Sequence, residues 1–308
     1  MQAGMLLVSM YAPDSGAYVQ QIVGEFQCDL NETMFREAWK HLVRRHEVLQ
    51  TRFHFDEATG WSQRVGAEHA PTVELEDFSS TDAAFEDETF SEFELLDQRK
   101  GFDFGHDPPS RVTLIRFNDT RYRFLWTYHH ALLDGRSCAF LLSEFFSLYN
   151  SLNLGHTSDQ PKSVSYREYL NWFANQDVSH SFRFWQETLA NTTSIDTQLK
   201  GRNLYTSDIG QRSAITKSVR LSHHGSQSLQ AFAAQSGVTL NTLALAAWGM
   251  LISSFTGESE VILGTVRSYR RSLPESLREV ASLVINTVPF RIGIPSNLTV
   301  VAWLRQLR

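Results

Sequence analysis

Cysteine is nearly absent. Cys28 and Cys138 are the only two in 308 residues, too few for a disulfide framework and without the paired spacing of a zinc site. A reducing, cytoplasmic setting is the expectation. No G-x-x-x-x-G-K-S/T and no G-x-G-x-x-G occurs, so nothing supports nucleotide binding. No G-x-S-x-G elbow surrounds a serine, which removes the usual sign of a serine hydrolase. Long apolar runs are missing too. The longest, Leu243 to Ile252, is ten residues, about half of a bilayer span, and reads as a buried helix. The opening MQAGMLLVSM lacks a basic region and reads as no signal peptide. No basic cluster stands out and the net charge is −6, a poor basis for binding nucleic acid.

Apolar mass is plentiful. The hydrophobic share is 42%, with 21 Phe, 9 Tyr and 7 Trp, enough for a sizeable core. Charge is uneven. Residues 1–110 hold 21 acidic and 8 basic side chains, or −13; residues 111–308 hold 13 and 20, or +7. A solvated acidic helix explains the first figure; a basic second half meeting an anionic partner is the alternative.

Strand and helix signals mix in both halves. Ala17–Phe26 alternates as a strand. Asn31 caps an amphipathic helix with Phe35, Trp39 and Leu42 on one face. Strands follow at 51–55, 61–65 and 73–78. A helix over 80–100 places Phe85, Phe90, Phe93 and Leu96 inward. Two strands, 111–117 and 121–128, flank a turn, and a helix runs over 135–150. A polar stretch at 153–163 reads as a linker. Helices are expected at 166–175, 180–189, 223–235, 239–255 and 300–307, and strands at 213–221, 261–266 and 283–292. Without strict β-α-β alternation, this is an α+β protein of two lobes, 1–155 and 156–308.

One constellation carries chemistry: Tyr128-His129-His130-Ala131-Leu132-Leu133-Asp134-Gly135-Arg136-Ser137, between an apolar strand and an apolar helix. Adjacent strand residues point to opposite faces, so one histidine can face a cleft while the other packs behind. A neutral imidazole can take a proton from an attacking amine or hydroxyl. A metal site is the weaker reading, since no second ligand pair stands nearby.

His129 to Ser137 resembles the H-H-x-x-x-D-G-x-S signature of condensation domains of nonribosomal peptide synthetases, in the chloramphenicol-acetyltransferase-like superfamily. Five further segments agree in order: Gln2 to Gln21 with the family's opening; RHEVLQTRF at 45–53 with R-H-x-x-L-R-T-x-F; YREYLNW at 166–172 with Y-x-D-Y-x-x-W; Gly264 to Arg270 with G-T-x-V-x-G-R; and LVINTVPFR at 283–291 with G-x-F-x-N-T-x-P-x-R. The chain departs from the pattern at Gln50, usually Arg; at Arg136, commonly Trp; and at Ser282 and Tyr269, both Gly in the family.

The resemblance implies two lobes in a V, the second incomplete, so that the chain is a partial domain. It implies an amide-forming acyltransferase: the amine of one carrier-bound aminoacyl group attacks a thioester on another carrier's phosphopantetheine arm. Carrier proteins upstream and downstream, and an adjacent adenylation domain, are the implied partners; nucleic acid, membrane and a cofactor bound by the domain itself are not. The implied catalytic set is His130, His129, Asp134 and Gly135. His130 is base or amine-positioning group, and His129 packs behind it. Asp134 is structural, paired with Arg45. Gly135 offers a backbone N–H to the thioester oxygen or simply makes a turn. Arg270 and Asn286 are supporting residues, the latter by a bond across the lobe junction or as a plain strand-end Asn. Cys138 is expected in the core. Two other readings stay open: a non-catalytic docking domain of the same fold, and a stand-alone acyltransferase using coenzyme A thioesters.

Overall fold

A computed structural model describes residues 1–66, 71–106, 108–156, 163–190, 192 and 218–307. In chain order the elements are α1 (Gln2–Tyr11), β1 (Val19–Gln27), α2 (Glu32–Arg45), β2 (Thr51–Asp56), β3 (Gly60–Val65), β4 (Val73–Asp77), α3 (Glu86–Lys100), β5 (Ser110–Asn118), β6 (Arg121–His129) and α4 (Gly135–Asn153). There follow α5 (Tyr166–Ala174), α6 (Ser179–Thr188), α7 (His223–Ser236), α8 (Leu240–Thr256), β7 (Glu260–Ser268), β8 (Ile285–Gly293) and α9 (Val300–Gln306). The mixed α+β content is as expected. Helix α1 had no assignment in the sequence. The expected strand at 213–221 falls largely outside the described residues, as does most of the linker.

Two compact units divide the chain: 1–176 with 268–285, and 177–267 with 286–308. A single cut at 155 does not follow this division. The reason is apolar packing: Ala281 and Leu283 are buried in one core with Phe35, Trp39 and Trp126, and Tyr169 of α5 shares a buried cluster with Leu273, Leu277, Val280 and Val284.

The first unit is built on a sheet ordered β1-β6-β5-β4. β6 lies antiparallel to β1 and β5, and β4 runs parallel to β5. Period-two alternation sorts the side chains of β6. Phe124, Trp126 and Tyr128 enter the main core with Phe35, Trp39 and Leu42 of α2 and Leu141 and Phe145 of α4. Leu125 goes to the other face, with Ile115, Phe117 and Phe90 of α3. Asn31 caps α2 by accepting the Met34 N–H.

Helix α3 departs from expectation. Of the four apolar side chains expected inward only Phe90 is buried; Phe85 and Leu96 are 57% and 58% exposed. Its acidic residues are not merely solvated. Arg121 and Arg123 of β6 pair with Glu86 and Asp87, and Arg111 of β5 reaches Asp97 at 2.6 Å. Part of the positive second segment therefore meets the negative first segment inside one unit.

The second unit packs α7, α8 and α9 on β7 and β8, with Val261, Ile292, Trp303 and Leu304 buried together. Gly249 lets α8 approach β8: an added Cβ would lie 3.0 Å from Ile292. The apolar run in α8 is not buried as expected, because Trp248, Met250 and Leu251 are 43–53% exposed.

Candidate active site

The end of β6 separates the two histidines. The His129 N–H donates to the Pro109 carbonyl at 2.9 Å, and the His130 N–H donates to the Tyr18 carbonyl at 2.7 Å. Their main chains are thus pinned from opposite flanks, and their side chains diverge. Tyr18 takes a φ of 61°, the only described non-glycine residue in the left-handed region, and from there its carbonyl meets His130.

His129 is fully buried. Its Nδ1 accepts the Ala131 N–H at 3.1 Å, so Nε2 carries the proton and donates to Ser9 Oγ of α1 at 2.9 Å. Ser9 in turn donates to the Ala17 carbonyl at 2.9 Å. Phe104 stands edge-on, ring centroids 5.0 Å apart. Burial, with His130 adding to it, holds the imidazole pKa down at about 4. His129 is thus a neutral packing residue with both nitrogens engaged.

His130 is half-buried. Its Nδ1 lies 2.8 Å from the Leu133 carbonyl. A carbonyl only accepts, so Nδ1 carries the proton and donates. That leaves the Nε2 lone pair, which has no partner among the described residues. Local turn geometry has selected the tautomer in which the other nitrogen can accept a proton or a hydrogen bond.

Asp134 caps α4 and is 2% exposed. Oδ1 accepts from the Ser137 N–H at 2.8 Å and from Arg270 Nη2 at 3.0 Å. Oδ2 accepts from the same Nη2 at 3.1 Å and from the Val284 N–H at 3.0 Å. Arg270 spreads further, to the carbonyls of Val280 at 2.8 Å and Arg278 at 3.1 Å and to Ser137 Oγ at 2.5 Å. Ser137 Oγ also donates to the Ser282 carbonyl at 2.7 Å and accepts its N–H at 3.1 Å. This buried network ties α4 to the 268–285 segment.

The expected Arg45–Asp134 pair does not form. Arg45 Nε lies 2.5 Å from Glu144 Oε1, a charge contact not aligned as a hydrogen bond. His46 Nε2 lies 2.9 Å from Glu144 Oε2. The reason is axial. Asp134 caps the start of α4, and Glu144 lies ten residues on, about 15 Å along the helix, where α2 ends. Glu144 was legible as the lone acid in the run from Cys138 to Tyr149, a sign of a buried partner. Ser9 carried no such signal.

Gly135 does not serve the turn. It is the first residue of α4, its φ is not positive, and an added Cβ would meet nothing within 4 Å. Its N–H has no acceptor among the described residues. Cys138 is buried as expected, and burial pushes its thiol pKa up to about 11. Asn286, in β8, makes no side-chain hydrogen bond among the described residues. Of the departures, Gln50 is buried and donates to the Val43 carbonyl at 2.7 Å, while Arg136 is exposed.

A family profile described as "Condensation domain" matches residues 1–308. The chain belongs to the condensation-domain family. A linear gramicidin synthase of Brevibacillus parabrevis is 32% identical over 308 residues, covering 100% of this chain and 6% of that protein. Bacitracin synthase 1 of Bacillus licheniformis is 32% identical over 300 residues, 95% of this chain and 6% of that one. This condensation domain therefore spans a small part of each synthase. Its fold matches the starter condensation domain of rhizomide synthetase, with TM-score 0.76 and 18% identity, over 99% of this chain and 68% of that one. It also matches the first condensation domain of the calcium-dependent antibiotic synthetase in complex with a substrate analogue, with TM-score 0.76 and 18% identity, over 99% and 72%.

Proposed function

We propose that this condensation domain forms an amide between two substrates held on carrier proteins. The donor is an acyl or peptidyl thioester on a phosphopantetheine arm. The acceptor is an aminoacyl group on a second arm. The amine nitrogen attacks the thioester carbonyl; a C–N bond forms, the C–S bond breaks, and the thiol leaves with the proton the amine gives up. The observation that carries this reading is the unpartnered Nε2 of His130, held by the Nδ1–Leu133 bond.

That nitrogen can take the amine's proton or orient its lone pair. A thioester is already activated, so positioning supplies a large share of the rate. The Gly135 N–H, at the start of α4, fits a role as donor to the oxygen that gains charge in the transition state. With nothing within 4 Å of a Gly135 Cβ, a substrate carbonyl can come close to the backbone. Asp134 and Arg270 shape the turn that presents both groups. Carrier proteins and an adenylation domain are the partners this reading requires, and the synthase relatives support it. The unpaired Cys28 and Cys138 agree with a cytoplasmic setting.

The test loads two carriers, adds the domain within its synthetase, and follows amide product by mass. Product that depends on both loaded carriers supports the proposal. Product from coenzyme A thioesters alone would favour the stand-alone acyltransferase. No product with either donor would leave the docking reading.

A further inference from the structure

We infer that Gln2 of α1 is a positioning residue for His130: its side chain holds the main chain of the histidine turn, and with it the direction of the unpartnered Nε2. This role rests on the amide-forming reaction proposed above.

Gln2 Nε2 donates to the Ala131 carbonyl at 2.8 Å. A carbonyl only accepts, so the amide turns its nitrogen to Ala131 and its oxygen to Gln63. That oxygen accepts from Gln63 Nε2 of β3 at 3.0 Å. Both ends of the Gln2 amide are used, and Gln63 fixes which way it faces. The base of this brace is itself held, because Gln63 lies directly across from Phe53 of β2, which is buried in the main core.

A second bond comes from the same helix. Ser9 Oγ accepts from His129 Nε2 at 2.9 Å. Gln2 and Ser9 are seven residues apart, about two helical turns, and so share one face of α1. Met5 and Leu6, between them, are buried in the main core and seat the helix. One helix face thus grips the residues on both sides of His130, 129 through Ser9 and 131 through Gln2. Ala131 is fully buried, and both its backbone groups end on side chains, the N–H on His129 Nδ1 and the carbonyl on Gln2. Among the described residues, no other side chain from outside 129–134 hydrogen-bonds residues 130–133. The His130 ring itself is bonded only within the turn, to the Leu133 carbonyl. Ala131 lies between the two ends of that bond, so a rotation of its peptide displaces the ring from the carbonyl that sets its tautomer.

The test uses the domain within its synthetase, with both carriers loaded. Gln2→Glu keeps length and shape, and an acid suits the first turn of a helix, but a carboxylate has no N–H for Ala131. It should lower kcat by about 10–10²-fold, the scale of a misplaced catalytic group, and leave KM for the loaded carriers unchanged. On a His130→Ala background the same substitution should cost nothing further, because no imidazole is left to place. Gln63→Leu, at an exposed position, should melt with the parent and lower kcat less, since Gln2 keeps its donor and loses only its guide. Parent kcat in either variant would overturn the inference. So would an added loss from Gln2→Glu on the His130→Ala background, which would mark Gln2 as a support of the fold alone. A parent that makes no amide from two loaded carriers would instead overturn the proposed reaction, and this role with it.

Discussion

Arg270 Nη2 sits between the two carboxylate oxygens of Asp134, 3.0 Å from one and 3.1 Å from the other, with both residues buried. Positions 136 apart in the chain therefore meet directly behind the histidine turn. The same carboxylate receives two backbone N–H groups, so no lone pair is left for a substrate.

Removing either partner strands the other inside. Asp134→Asn should cost about 3–5 kcal/mol, the usual loss on breaking a buried pair, read as a shift of the urea midpoint. Activity should fall along with it. Unchanged melting with abolished turnover would make Asp134 catalytic instead.

Arg45 should be energetically independent of Asp134. A double-mutant cycle on Arg45→Ala and Asp134→Asn should give no coupling beyond about 0.5 kcal/mol, whereas Arg45→Ala with Glu144→Gln should couple clearly. Equal coupling in both cycles would refute the assignment of partners.

His129 makes stability depend on pH. Its folded pKa of about 4 lies below the unfolded value of 6.5. Above 6.5 both states are neutral. Between 6.5 and 4 the unfolded chain takes a proton that the folded chain refuses, so stability falls as pH drops, by about 3 kcal/mol at most. His129→Gln keeps a polar side chain but does not titrate, so its stability should fall less steeply across that window. Parallel curves for parent and variant would show that His129 is not the cause.

His130 is tested by rate. His130→Ala should lose about 10²–10⁴-fold in amide formation if Nε2 removes the proton. His130→Gln should recover part of that if it only orients the amine, because an amide oxygen accepts the same bond. Raising the pH deprotonates the free amine and should rescue the alanine variant only in the first case. Full activity in His130→Ala would defeat both roles.

Gly135→Ala separates approach from folding. The Cβ enters open space and the backbone is helical, so the variant should melt no lower than the parent. Amide formation should drop, because the methyl stands where the substrate carbonyl needs to come. A variant active at the parent rate would remove Gly135 from the mechanism.

Much of this was legible in the chain itself. The α+β content, the Asn31 cap, the period-two face of β6 and the turn after His130 all rest on interactions within a few residues, and those write a local pattern. The strand end alone implied that one histidine packs and the other is presented. The partners of the polar groups were not legible. Asp134 finds Arg270 rather than Arg45, His129 finds Ser9 of a helix that had no assignment, and α3 finds arginines from β5 and β6. Each joins distant parts of the chain, and a charge in a sequence states its need for a partner but not its direction. The 268–285 segment likewise leaves the second lobe for the first because Ala281 and Leu283 bury in the first unit's main core and Arg270 meets Asp134 there. Local propensity determined the elements; burial, satisfied only in three dimensions, decided which of them meet.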